Sequence, residues 1–179
     1  MIHIVNFPFC NYSAVARLLS RNGFAYQDLD TSININADDA IILPGVGSFD
    51  YAMKNIIEKG FKDVLDELVI VNKVPTLGIC LGAQIMTKKS EEGKIAGLGW
   101  FDAETIKFNF KKHNSEFKIP HMGWSETQFL KKNLLVKNIA QQKRYYYVHS
   151  YHFTSKNKDD ILCKTNYCYD FYSGLSRDN

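Results

Sequence analysis

Short apolar runs that alternate with helical patterns are the feature that most constrains the fold of the first half of this chain. The predicted strands cover residues 2–5, 40–43 and 75–79. The predicted helices begin near Tyr12, Ser48, Phe61 and Gly82, and Gly23 and Gly60 are placed to end the first two. Buried strands separated by helices form βαβ units, so the pattern predicts an α/β fold with a central, mostly parallel sheet and flanking helices.

The first two predicted helices each carry an apolar stripe that can pack on the sheet. The stripe of the first consists of Tyr12, Val15, Ala16 and Leu19. The stripe of the second consists of Phe49, Ala52, Met53, Ile56 and Ile57. Ser48 is predicted to cap the second helix, because a serine hydroxyl accepts a hydrogen bond from a free N–H of the first turn.

The pattern changes after Gly93, where shorter strand-like segments are separated by Asn, Lys and Gly. These segments cover residues 101–108, 117–119, 124–129, 145–149 and 161–165. They predict a smaller antiparallel or mixed extension of the sheet. Since no linker, repeat or low-complexity tract interrupts the chain, a single domain over residues 1–179 is expected.

Composition excludes several classes of protein. The formal net charge of +3 is small and dispersed, so no nucleic-acid partner is expected. No stretch approaches the roughly 18 apolar residues of a membrane helix, and the start of the chain does not resemble a signal peptide. The four cysteines match no zinc-binding spacing. Reduced thiols, no metal, no cofactor and a cytoplasmic location are therefore expected.

Cys80 lies between two glycines in the sequence LGICLGAQ, residues 77–84. A strand, a tight turn and a helix at this point would expose the side chain of Cys80 at the carboxyl edge of the sheet, where ligands of open α/β folds bind. The N–H groups of the following helix would favour the thiolate, and the N–H of Leu81 could bind an oxyanion. The alternative is that Cys80 is a small buried apolar residue, as most free cysteines are.

A second glycine-containing loop, Gly45-Val46-Gly47, follows the strand at residues 40–43. In a parallel sheet this loop can lie beside Cys80 at the same edge. Its backbone amides would be open to a substrate, whereas an ordinary strand-to-helix turn explains only one of its two glycines. The two loops together predict an acyl-transfer site built from a thiolate and backbone donors.

Four segments of the chain resemble class I (triad-type) glutamine amidotransferases, and within them the glutaminase subunit of imidazole glycerol phosphate synthase. These segments read LGICLGAQIM, LPGVGSFDYAM, IPHMGWSE and YYYVHSYHF. They occur in the expected order over nearly the whole chain. The resemblance implies the open three-layer α/β fold of that class.

The resemblance also implies a reaction. Cys80 would attack the side-chain amide of L-glutamine and form a glutamyl thioester, and the ammonia would pass to a (β/α)₈-barrel synthase subunit in a heterodimer that makes imidazole glycerol phosphate for histidine biosynthesis. The implied oxyanion residues are Gly45, Val46, Gly47 and Leu81. The implied glutamine-binding residues are Gly82, Gln84, His149, Ser150 and Tyr151. Asn11 and Trp124 would lie at the partner interface.

The chain departs from the family pattern at several places, one of which is that His152 and Phe153 extend HSY into HSYHF. The first loop reads NFPFCN over residues 6–11 where the family has DYGMGN, and Ser125 replaces an asparagine. The family's H-P-E segment, which supplies the triad histidine and glutamate, has no counterpart here, and its base is expected beyond Asn179. His149 and His152 lie at an odd interval on one predicted strand, so at most one would face the site, and neither is assigned as catalytic.

Alternative functions remain at this stage. The segment SEEGKIAGLGWFDAET and the altered first loop resemble paralogues associated with amidination of surface-polysaccharide sugars. A non-catalytic scaffold subunit would share the fold without the complete triad. A stand-alone cysteine hydrolase would leave Gln84 and the PGVG loop without a role.

Overall fold

A computed structural model describes residues 1–8, 10–30, 35–36, 38–111 and 116–177. The chain divides into two compact units, Met1–Trp100 and Phe101–Arg177. Each unit contains strands of a β-sheet. The single domain over residues 1–179 stays a prediction.

The first unit contains a parallel sheet with the strand order β2-β1-β3-β4. The strands of this sheet are β1 (Ile2–Ile4), β2 (Tyr26–Asp28), β3 (Ala40–Gly45) and β4 (Thr76–Cys80), and the two-residue strand β5 (Lys89–Ser90) lies in the same unit but outside this sheet. Its α-helices are α1 (Tyr12–Arg21), α2 (Phe49–Glu58), α3 (Phe61–Asp66) and α4 (Leu81–Gln84), and a π-helix covers Glu67–Val71. The βαβ pattern predicted from the apolar runs is therefore present.

Helix α1 packs on the sheet through the stripe expected from its sequence. Ala16 and Leu19 are buried and form a cluster with Ile4 of β1, with Tyr12 and Val15 packed against it. After the helix ends, Gly23 has a φ of +74°, a backbone conformation that glycine adopts without a steric penalty.

Helix α2 agrees with its predicted stripe at four positions and differs at one, and its predicted cap also differs. Phe49, Ala52, Met53 and Ile56 are buried, but Ile57 is 47% exposed. Ser48 occupies the N-cap position without a side-chain capping bond. The cap comes from Glu92, whose Oε2 accepts a hydrogen bond from the Phe49 backbone N–H at 2.9 Å. The prediction that Ser48 caps the helix is therefore wrong.

The second unit contains an antiparallel sheet with the strand order β6-β9-β11-β10-β7-β8. Its strands are β6 (Ala103–Lys107), β7 (His121–Phe129), β8 (Gln142–His149), β9 (Tyr151–Ser155), β10 (Ile161–Tyr167) and β11 (Tyr169–Leu175). Short 3₁₀ helices cover Leu134–Val136 and Lys158–Asp160. The antiparallel extension is confirmed, but residues 117–119 are not a strand, and β9 and β11 were not predicted as separate strands.

His149 and His152 do not lie on one continuous strand. β8 ends at His149, Ser150 forms a bend, and β9 begins at Tyr151. Both imidazole rings therefore contact the same Phe108 ring, at centroid distances of 5.1 and 4.8 Å. The prediction that the two histidines face opposite sides is wrong because the bend resets the alternation of side chains.

Within the described parts of the chain, no helix has the length and apolar character needed to cross a bilayer. The same residues contain no group of three or more His, Cys, Asp or Glu side chains arranged to hold a metal ion.

Candidate functional site

Cys80 forms the turn between β4 and α4 in a conformation that side chains rarely adopt. Its φ is +55° and its ψ is −117°. Non-glycine residues in such regions carry backbone strain and are found preferentially at functional sites. The residue is exposed at the carboxyl end of β4. The tight, strained turn predicted from the G-x-C-x-G spacing is present.

The glycines around the turn are required because three backbone segments approach closely. A Cβ on Gly78 would lie 2.7 Å from the Cα of Ala83. A Cβ on Gly82 would overlap the carbonyl oxygen of Leu43 in β3, and one on Gly45 would lie 2.7 Å from the backbone nitrogen of Gly82. The absence of side chains at these glycines therefore lets α4 sit directly against the ends of β3 and β4.

The Gly45–Gly47 loop lies next to Cys80, as the parallel arrangement predicts. Gly45 is the register partner of Cys80 across β3 and β4. Val46 is 48% exposed, and Gly47 has a φ of +99°, which again favours glycine. The structure therefore brings together the predicted nucleophile and the predicted oxyanion loop, while the role of each residue stays a prediction.

The thiol of Cys80 is less acidic than the sequence suggested. Burial of the sulfur among protein atoms raises the pKa of the thiol, and the nearby Glu92 carboxylate raises it further. The hydrogen bond from the Leu81 backbone N–H to the sulfur lowers the pKa. The net shift is upward, although the residue as a whole is exposed. The predicted preference for thiolate is wrong, because α4 has only four residues and offers little dipole against desolvation and a nearby negative charge.

The other predicted residues of this unit lie on α4 and in the first loop. Gly82 is buried and Gln84 is half-buried on α4. Asn11 occupies the N-cap position of α1 without a side-chain capping bond. Beside it, the Cys10 thiol donates a hydrogen bond to the Pro44 carbonyl at 3.1 Å. The altered first loop therefore contacts the strand that leads into the Gly45–Gly47 loop.

Glu92 is a site residue that sequence reasoning missed. The segment around it and the start of α2 hold each other: Glu92 caps α2, and the Asp50 carboxylate accepts hydrogen bonds from the backbone N–H groups of Lys94 at 2.8 Å and Ile95 at 2.9 Å. A Cβ on Gly93 would overlap the Asp50 carboxylate. The only signal in the sequence was a glutamate in a polar stretch, which by itself indicates a solvated loop.

The remaining predicted residues belong to the second unit. His149, Ser150 and Tyr151 span the bend between β8 and β9, and the Nδ1 of His149 hydrogen-bonds the Tyr151 carbonyl at 2.7 Å. Trp124 on β7 is 61% exposed and makes an edge-to-face contact with Tyr146 on β8, at a centroid distance of 5.7 Å. Their roles in binding glutamine and a partner stay predictions.

The family model for class-I glutamine amidotransferases matches residues 12–171. The chain belongs to this family. The predicted family, the predicted α/β fold with parallel and antiparallel sheets, and the prediction of an amidotransferase enzyme are therefore confirmed.

Curated relatives of this amidotransferase carry a more specific name. The imidazole glycerol phosphate synthase subunit HisH of Leptospira borgpetersenii is 40% identical over 179 residues, which is 100% of this chain and 88% of the relative. The HisH 2 protein of Methanococcus maripaludis is 41% identical over 100% of this chain and 87% of its own length. A crystal structure of a glutamine amidotransferase matches with a TM-score of 0.66 at 15% identity, over 91% of this chain and 79% of that one, which shows the shared fold.

Proposed function

We propose that this amidotransferase is the glutaminase subunit of imidazole glycerol phosphate synthase and serves histidine biosynthesis in the cytoplasm. Relatives with that subunit name are 40% and 41% identical to it over the whole chain. The observation that carries the chemistry is the strained turn that holds Cys80 beside the Gly45–Gly47 loop. A thiol at such a turn has backbone N–H groups on two sides, as acyl transfer requires.

The reaction follows from this arrangement. The Cys80 sulfur attacks the side-chain amide carbon of glutamine, and the negative charge that develops on the amide oxygen is stabilised by backbone N–H groups of Leu81 and of the Gly45–Gly47 loop. The C–N bond breaks, and the amine takes up a proton and leaves as ammonia. Water then attacks the thioester, glutamate leaves, and the thiol is restored. Glutamine and water are thus converted to glutamate and ammonia.

Proton transfer is the demanding part of this reaction. The raised pKa of Cys80 means that the thiol is protonated at neutral pH, so attack on the amide needs a base. The 179 residues contain no His-x-Glu segment of the kind that supplies this base in triad-type amidotransferases. The residues of this chain supply the nucleophile and the oxyanion donors.

Substrate binding is assigned to two places. Gly82 and Gln84 lie on α4, next to the thiol in sequence. The backbone around His149, Ser150 and Tyr151 is proposed to hold the amino-acid end of glutamine, and its conformation is fixed by the bend between β8 and β9.

The partner is proposed to be a synthase subunit with a (β/α)₈ barrel, bound through Asn11 and Trp124. Exposed apolar side chains surround Trp124: Met122 is 60%, Tyr146 55% and Val148 54% exposed. Met122 pairs with Val148, and Trp124 with Tyr146, across β7 and β8, so all four side chains lie on one face of the ribbon. Aromatic side chains and methionine at such a patch are typical of protein interfaces.

Labelling with a glutamine-analogue electrophile tests the nucleophile. The diazoketone 6-diazo-5-oxonorleucine alkylates a thiol that lies in a glutamine site, and peptide mass spectrometry locates the adduct. We expect the adduct at Cys80, protection by free glutamine, and no adduct there in the Cys80→Ser variant. Cys163→Ser is the matched control, because this buried cysteine lies in the second unit. Equal labelling of both thiols, or none at Cys80, would contradict the proposal.

Co-purification with candidate synthase subunits tests the acceptor. Glutamate release by the protein expressed from its complete gene should rise in the presence of the imidazole glycerol phosphate synthase partner and disappear in the Cys80→Ala complex. Stimulation only by a synthase that acts on surface-polysaccharide sugars would keep the chemistry and refute the pathway. No glutamate release with any partner, together with no adduct, would identify a non-catalytic scaffold.

A further inference from the structure

A chain of hydrogen-bonded side chains crosses β7 and β8 in the second unit. The Ser125 Oγ lies 2.8 Å from Nε2 of His121, and Nδ1 of His121 lies 2.9 Å from Nε2 of His149. Nδ1 of His149 lies 2.7 Å from the carbonyl oxygen of Tyr151. His121 and His149 are register partners across the two strands. We call these three side chains, Ser125, His121 and His149, the histidine chain.

The last contact fixes the direction of every proton in the histidine chain. A carbonyl oxygen can only accept, so Nδ1 of His149 must carry the proton, and Nε2 of the neutral ring must accept. Nδ1 of His121 then donates to it, which leaves Nε2 of His121 as an acceptor. Ser125 completes the chain by donating its hydroxyl proton to that nitrogen. Each group has one role that satisfies its neighbours.

Packing keeps both imidazoles neutral, as this direction requires. His121 is 1% exposed and lies between the rings of Tyr147 and Tyr167, at centroid distances of 5.0 and 4.0 Å. The His149 ring contacts Phe108 at 5.1 Å. Burial and the neighbouring His149 lower the pKa of His121 to about 4, and burial also lowers the pKa of His149. Among the described residues, neither imidazole makes a hydrogen bond or a ring contact with a carboxylate.

The histidine chain ends on the backbone that is proposed to hold glutamine. The Ser150 carbonyl accepts a hydrogen bond from the Phe108 N–H at 3.1 Å, and the next carbonyl, that of Tyr151, accepts from His149. Because the C=O and N–H of a peptide point in opposite directions, fixing two successive carbonyls also fixes the directions of the N–H groups that follow them. The orientation of these peptides therefore depends on the proton carried by Nδ1 of His149.

We infer that Ser125, His121 and His149 form a positioning chain, in which the Ser125 hydroxyl satisfies the last acceptor and thereby stabilises the Nδ1-protonated tautomers that hold the Ser150–Tyr151 backbone in its glutamine-binding conformation. This inference rests on the proposed function. Ser125 is a positioning residue and not a catalytic one, since it acts through the two imidazoles. Removing its hydroxyl leaves the buried Nε2 of His121 without a donor, which weakens the chain of hydrogen bonds that ends at the Tyr151 carbonyl.

Steady-state kinetics of the complex with its synthase partner test the inference. Ser125→Ala should raise the KM for glutamine about five- to tenfold, the size expected for one lost buried hydrogen bond, and should change kcat by less than about twofold. Ser125→Asn keeps an N–H donor and should restore most of the loss. Ser173→Ala is the matched control: this serine is in the same sheet and bonds Thr165 and Cys163, not the histidine chain.

Nitrogen-15 NMR of labelled histidine gives a readout independent of activity. His121 and His149 should both carry their proton on Nδ1 in the wild type and in Ser125→Asn, and the Nε2 resonance of His121 should shift in Ser125→Ala, where its hydrogen bond is lost. An Nε2-protonated His149 in the wild type would overturn the inference, and so would a KM that is the same in Ser125→Ala and Ser173→Ala. If the wild-type complex releases no glutamate but the His121 resonance shifts as expected, the proposed function fails and the hydrogen-bonded chain remains.

Discussion

Replacing Cys80 with glycine should stabilise the protein relative to replacing it with alanine. Cys80 has a φ of +55° and a ψ of −117°, a region that any residue with a Cβ occupies at a cost of about 1–3 kcal/mol. Glycine has no Cβ and does not carry this strain. Both replacements remove the thiol, so the comparison isolates the backbone.

The expected difference follows from two opposing terms. Relief of strain favours the glycine variant by about 1–3 kcal/mol, and the greater freedom of glycine in the unfolded chain favours the alanine variant by about 0.5–1 kcal/mol. The glycine variant should therefore be more stable by about 1 kcal/mol, which corresponds to a Tm about 2–4 °C higher for a chain of this size. Both variants lose the thiol and should be inactive as glutaminases.

Urea unfolding followed by circular dichroism measures the difference, with a matched pair at Lys54 as the control. Lys54 is in the interior of α2, and its side chain is 61% exposed. In a helix interior the order reverses, and Lys54→Ala should be more stable than Lys54→Gly by about 1 kcal/mol. If alanine is the more stable replacement at both positions, Cys80 is not strained and the argument from its backbone fails.

Three further results are expected. Glu92→Gln should lower the pKa of Cys80, because it removes a nearby negative charge. The pH at which alkylation by iodoacetamide reaches half its maximal rate should then be lower than in the wild type, and an unchanged rate profile would contradict this. Gly82→Ala should lower the free energy of unfolding by about 1–3 kcal/mol or more, because the new Cβ overlaps the Leu43 carbonyl, and an unchanged urea midpoint would show that the backbone yields. The pKa of His121 is about 4, against an ordinary value of 6.5. As the pH falls below 6.5 the unfolded chain binds a proton that the folded chain does not, so the free energy of unfolding should fall between pH 6.5 and pH 4. This fall should be smaller in His121→Asn.

Apolar pattern and glycine spacing were sufficient to predict three strands of the parallel sheet and the position of the thiol, but not the short, more polar strand β2. Uninterrupted apolar runs have few alternatives to buried parallel strands, and a cysteine between two glycines has few alternatives to a tight turn. The close approach of Gly82 to Leu43 explains why that spacing is informative: any side chain there would separate α4 from β3.

Features that depend on contacts between distant residues could not be predicted in the same way. The side chain that caps α2 belongs to Glu92, far along the chain, so the capping hydrogen bond predicted for the nearby Ser48 is wrong. The acidity of Cys80 depends on burial and on that same glutamate. The facing of His149 and His152 depends on a single bend at Ser150, which no periodicity reveals.

The contact between Asp50 and Gly93 has a consequence for how relatives of this chain can diverge. The Asp50 carboxylate occupies the space that a Cβ at position 93 would need, while it receives the N–H groups of the two residues that follow. A substitution at either position is therefore tolerated only with a matching change at the other. In an alignment of relatives the two positions should covary, although neither lies in the motif that contains the thiol.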